Sequence, residues 1–96
     1  MDITINLMDS VSGTSTNMEG CTLFAVISKE LESNNTIRLS LKDATPMSSS
    51  FMNSSFGELV DRFGMETFKN NIRLINYTPS QAEYIKHYLT MVSVKN

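Results

Sequence analysis

The sequence predicts an α/β domain of the form βαβαβα, a three-stranded parallel sheet in the order 1-2-3 with helices mainly on one face. Three observations predict it. Apolar and polar residues alternate over residues 2–7 and 36–42, the two-residue period of a strand, and a third strand-like segment follows at 72–77. Each segment is followed by a stretch with apolar residues three and four apart, long enough to cross back and leave neighbouring strands parallel. The first two strands are polar at every other position, whereas strands covered on both faces read as continuous apolar runs. One face of the sheet is therefore expected to be bare, and right-handed crossovers that keep every helix on one side advance one strand at a time.

The first strand places Ile3, Ile5 and Leu7 on one side and Asp2, Thr4 and Asn6 on the other. The polar loop Asp9 to Asn17 follows, and its Thr16 with Glu19 three residues later is a capping-box start for a helix. That helix is predicted to run to Glu32, with Gly20, Leu23, Phe24, Ile27 and Leu31 inward and Thr22 and Lys29 outward, and Ser33, Asn34 and Asn35 end it. The second strand, Thr36 to Lys42, alternates Ile37, Leu39 and Leu41 against Arg38, Ser40 and Lys42. The next helix begins in the serine-rich stretch after Pro46, carries Met52, Phe56, Leu59, Val60 and Phe63 on one face, and stops near Gly64. Glu58 and Arg62 stand four apart on its outer face, the spacing of a helical ion pair. Gly57 inside the helix costs about 1 kcal/mol relative to alanine, which points to the close approach of another element. Residues 65–71 read as one irregular turn pinned by Phe68, before the third strand at 72–77. Thr78, Pro79 and Gln81 then supply an N-cap, a proline at the first helical position and a capping-box partner. The last helix turns Ala82, Ile85, Leu89 and Val92 inward.

Composition bounds the function. Ninety-six residues make one domain, taken as 1–96, able to bury a single modest core. Eight Lys and Arg stand against ten Asp and Glu, a net charge of −2 with no run of like charges, so nucleic acid is not an expected partner. The opening MDITINLMD lacks the basic start and apolar block of a secretory signal, and no apolar run approaches the roughly 20 residues that cross a bilayer. A soluble, cytoplasmic protein with no membrane association is expected. Cys21 stands alone, which excludes an internal disulfide, and reads as a small buried residue. With one histidine, His87, and no carboxylate pair or metal-ligand spacing beside either, no nucleophile with its base and no metal site can be assembled. The expectation is a non-enzymatic protein with no cofactor.

Leu39 to Asn76 resembles the STAS-like domain family of unknown function, whose pattern is a strand, then Ser-Ser-Ser-Phe-Ala-Asp-Glu-Leu, a glycine, and a later strand ending in Asn. Ser48, Ser49, Ser50, Phe51, Gly57, Leu59 and Asn76 match as they stand, while Asn53 and Ser54 occupy places where the family usually has Asp and Glu. More distantly, the stretch is similar to anti-sigma-factor antagonists, in which a serine at the start of this helix is phosphorylated by a partner ATPase-type kinase. Met47 to Phe51 lies over their Met-Asp-Ser-Ser-Gly pattern, which puts Ser49 on the phosphorylated position, with Ser48 and Phe51 replacing the Asp and the Gly. The resemblance implies a STAS-like fold, bacterial-type regulation, and a histidine-kinase-type ATPase or anti-sigma-like protein as partner.

Three groups of residues are candidate sites. Ser48, Ser49 and Ser50, with Asn53, form a candidate phosphoacceptor and partner-binding patch, because a helix start offers unpaired N–H groups and the positive end of the macrodipole to an added phosphate. The alternative is that one serine is the N-cap and the others fill a turn. Ser12, Gly13, Thr14 and Ser15 could hold an anion or a small ligand such as a nucleotide by backbone N–H groups; the alternative is a capped turn. Tyr84, Tyr88 and Met91, with His87 among them, form a candidate interface on the side of the last helix away from the sheet, for a foreign partner or a weak homodimer; the alternative, a monomer, packs them against the serine-rich helix.

Overall fold

The computed structural model describes the backbone of residues 1–94. β1 (Asp2–Asn6), β2 (Thr36–Ser40) and β3 (Ile72–Ile75) form a parallel sheet in the order β1-β2-β3. The register aligns Ile3 with Ile37 and Ile72, and Ile5 with Leu39 and Leu74, in two apolar rows on one face. Thr4, Arg38 and Arg73 form the row between them on the other face, and all three are exposed. The bare polar face is the consequence of alternation in the strands.

The helices cover the apolar face. Short α1 (Leu7–Ser10) is followed by α2 (Asn17–Glu32), which buries Gly20, Leu23, Ile27 and Leu31. Both halves of the Thr16–Glu19 capping box are made, and Asn34 ends the helix in the left-handed region at φ 62°. The serine-rich segment is one rod of three parts: α3 (Ser49–Met52), a π-helical turn (Asn53–Gly57) and α4 (Glu58–Phe63). After α5 (Met65–Asn71) and β3, α6 (Pro79–Val94) starts from a reciprocal Thr78–Gln81 capping box and buries Ile85 against the core.

Four expectations are corrected. Leu7 is not the end of the first strand but the first residue of α1, although it remains fully buried. Residues 65–71 are a helix, because Gly64 at φ 90° turns the chain and its carbonyl accepts from Phe68 N–H to open a new turn. Phe68 does pin that segment, with its ring edge-on to Phe56 at 5.8 Å. The rod contains a π turn because its buried residues repeat every four positions: Phe51 and Met52, Ser55 and Phe56, Leu59 and Val60. A four-residue repeat overruns a 3.6-residue turn by about 40° each time, and one wider i→i+5 turn cancels the drift. Arg62 lies over the Phe24 ring, 5.6 Å from its centroid, in place of the helical pairing with Glu58 that the spacing predicts.

Candidate functional site

At the C-terminal end of the sheet, the loop before α2 and the segment before α3 are tied together. Thr14 is 2% exposed, and its hydroxyl oxygen lies 2.6 Å from that of Thr45, 2.9 Å from the Pro46 carbonyl and 3.1 Å from the Thr45 carbonyl. Ser48 N–H donates to the Thr14 carbonyl at 3.0 Å, and Ser48 Oγ donates to the Ser15 carbonyl at 2.9 Å. Two candidate groups that stand more than thirty residues apart in sequence are thus one structural unit.

Within the unit the hydroxyls divide by role. Ser48 is the N-cap of α3: its extended backbone (φ −76°, ψ 164°) lets Oγ accept from Phe51 N–H at 3.1 Å. Its carbonyl accepts from Met52 N–H. Ser49 and Ser50, the next two residues, are exposed, and their N–H groups are the ones the cap leaves over in the first turn. Ser54 and Ser55 are structural. Ser54 donates to Asn17 Oδ1 on α2, and buried Ser55 donates at 2.7 Å to the Phe51 carbonyl.

The Ser12–Ser15 loop closes on an anion that belongs to the chain itself. Glu19 Oε1 accepts from the N–H groups of Ser15 and Thr16 and from the Thr16 hydroxyl, and Oε2 accepts from the Ser12 hydroxyl. A side chain at Gly13 would strike that carboxylate, with 2.6 Å from a Cβ to Oε2. The Ser15 N–H foremost, with the Thr16 and Ser12 hydroxyls, holds the Glu19 carboxyl below its ordinary value against a smaller opposing effect of desolvation. The capping-box spacing foretold part of this; the further wrap to Ser12 and Ser15 had only Gly13 as a signal.

The third group is divided. Tyr88 is half-buried, donates to Asn53 Oδ1 at 2.6 Å and lies against Gly57, so Asn53 and Tyr88 tie the rod to α6. Burial, and then the neighbouring Tyr84, push the Tyr88 phenol above its ordinary value. Tyr84 is 42% exposed and lines a shallow groove of about 280 Å³ with Ala44, Pro46, Met47 and Gln81. Met91 is 54% exposed and lies outside that groove. Cys21 is exposed on α2, because the buried stripe of that helix passes through Gly20, Leu23 and Ile27 and leaves it to one side. Among the described residues no group of His, Cys, Asp and Glu is arranged to hold a metal ion, and no helix is long and apolar enough to cross a membrane.

These features define a small parallel α/β domain with helices on one face and an exposed helix start at the C-terminal end of its sheet. The chain belongs to the STAS-like domain family of unknown function, which matches residues 19–82. The matched span includes the serine start, the π turn and the Thr78–Gln81 cap, and it begins at Glu19, after the Ser12–Ser15 loop. No curated protein and no solved structure matches the chain significantly. Asn53 and Ser54 make neutral hydrogen bonds to α6 and α2, and Asn76, at φ 55°, donates to the Ser40 hydroxyl at 2.9 Å to join the ends of β3 and β2.

Proposed function

We propose that the domain is a non-enzymatic protein-interaction module, read by a regulatory partner at the first turn of α3, with Ser49 as the residue whose phosphorylation switches docking. One observation carries this reading: Ser48 supplies the cap, which leaves Ser49 and Ser50 exposed, with hydroxyls that make no hydrogen bond among the described residues. A phosphate on Ser49 meets the two N–H groups the cap leaves over, and it adds nearly two negative charges to the docking surface. The partner that suits this chemistry is a histidine-kinase-type ATPase or an anti-sigma-like protein. A nucleotide on the Ser12–Ser15 loop would have to displace Glu19 from the N–H groups of Ser15 and Thr16, so the geometry favours the protein partner.

The test is incubation with ATP and the kinase-type ATPase encoded nearest to this chain, followed by intact-mass measurement. One added phosphate is expected, lost in Ser49→Ala and kept in Ser50→Ala. Pull-down of the same ATPase should succeed without added ligand and weaken with Ser49→Glu. An unchanged mass refutes the switch, and failure of the pull-down refutes the docking.

A further inference from the structure

On the other flank of α6 a larger groove, about 530 Å³, runs between α5, β3 and α6. Three consecutive residues of β3, Ile72, Arg73 and Leu74, line it. Side chains alternate between faces along a strand, so a groove that touches three in a row follows the strand's edge and not a face. β3 ends the sheet, and among the described residues its one strand partner is β2. The Ile75 carbonyl accepts from Leu41 N–H at 3.0 Å and so points toward β2. By the alternation of backbone groups, Leu74 directs its N–H and C=O the other way, into the groove. An unpaired edge of this kind is a template for one more strand.

Charge selects the strand. Lys69, Arg73 and Lys86 rim the groove, all exposed, and they are three of the chain's eight Lys and Arg in a protein whose net charge is −2. No carboxylate lines it among the described residues, and Leu74, Ile85 and Leu89 give it an apolar floor. A second copy of the chain laid edge to edge would set the same three cations against each other. We propose that the β3 edge binds an extended acidic segment of a partner protein, added as a fourth strand. Its backbone pairs with Leu74, its carboxylates meet Lys69, Arg73 and Lys86, and its alternate apolar side chains lie on the floor. This surface is distinct from the first turn of α3, and either can fail without the other.

The probe is a blocked peptide in which Glu and Val alternate, titrated into the whole domain and followed by proton–nitrogen NMR and amide exchange. Shifts confined to β3 and the facing side of α6 are expected, with slowed exchange of the Leu74 amide. Arg73→Glu and Lys86→Glu, both exposed positions whose folding circular dichroism checks, should each weaken binding about tenfold. N-methylation of the central valine, which removes an N–H and leaves the charge, should weaken it about as much. No shift at millimolar peptide overturns the proposal, as does equal binding of the N-methylated peptide or of one in which Lys replaces Glu. Protection of Leu74 by self-association in the free protein overturns it as well.

Discussion

Gly57→Ala tests how the rod is seated on α6. The glycine has ordinary helical angles, φ −61° and ψ −43°, so alanine is conformationally acceptable and by intrinsic propensity would add about 1 kcal/mol of stability. The new Cβ would overlap Tyr88 Oη, which is held in place by its 2.6 Å bond to Asn53. Displacing the phenol forfeits that bond, about 1 kcal/mol net, and repacking a partly exposed ring costs about 1 kcal/mol more, the low end for overpacking. The balance is a loss of about 1 kcal/mol, or a fall in Tm of roughly 4–8 °C for a domain of this size. Tyr88→Phe removes the obstructing oxygen and leaves ring carbon Cζ at 3.5 Å, an ordinary contact. In that background Gly57→Ala should therefore stabilise by about 1 kcal/mol, a coupling of about 2 kcal/mol. Urea unfolding of the four proteins measures the cycle. If alanine changes stability equally in both backgrounds, within about 0.5 kcal/mol, the approach of Tyr88 is not what holds a glycine there.

Gly20→Ala would put a Cβ 2.7 Å from both the Phe51 carbonyl oxygen and Ser54 Cβ, and since backbone cannot swing aside the expected loss is about 2–3 kcal/mol by urea unfolding. A loss under about 0.5 kcal/mol would mean that α2 and the rod are free to separate. Thr14→Val strips the partners of the Thr45 hydroxyl and Pro46 carbonyl and should cost about 1–3 kcal/mol, with most of it recovered in Thr14→Ser, whereas equal losses in both variants would assign the effect to packing. Glu19 titrates lower in the fold than an ordinary glutamate, so its contribution is present above the ordinary glutamate range and is lost as pH falls through the lower folded value. Glu19→Gln should therefore flatten the acid side of the stability curve, and parallel curves for the two proteins would contradict the assignment.

What was legible in the sequence was local. The two capping boxes span four residues each, and both form as spaced. Alternation in β1 and β2 was enough to leave one sheet face bare, since register transmits the pattern of one strand to its neighbours. Gly57 signalled a close approach, although its partner lies on another element. The π turn is hidden in the sequence because the residues from Met52 onward fit three-and-four spacing, and only the burial of Phe51 completes the strict four-residue repeat. The helical character of residues 65–71 depends on the positive φ of Gly64, and a glycine expected to stop one helix gave no sign that it also starts the next. The candidate site was least legible where it is tertiary. Nothing in the order of residues joins Thr14 to Thr45 and Pro46, and that contact decides which of the later serines face water.

The distribution of hydroxyls in this region separates folding from function. Thr45 is engaged with Thr14, Ser48 caps α3, Ser54 binds Asn17, and Ser55 takes the Phe51 carbonyl inside the π turn. Alanine at Ser48 should cost about 1 kcal/mol, and at Ser55, where the Phe51 carbonyl would lose a buried donor, about 1–3 kcal/mol. Ser49 and Ser50 have no such employment, and because alanine is the better helix former their replacement should leave stability unchanged or raise it by up to about 0.5 kcal/mol. Thermal unfolding of the four alanine variants orders them. If Ser49→Ala loses as much as Ser48→Ala, then Ser49 belongs to the cap, its exposure is incidental, and the first turn of α3 has no hydroxyl to spare for a kinase. If the two classes separate as the hydrogen bonds require, any loss of partner binding in Ser49→Ala reports on the surface itself, because the fold beneath it is untouched.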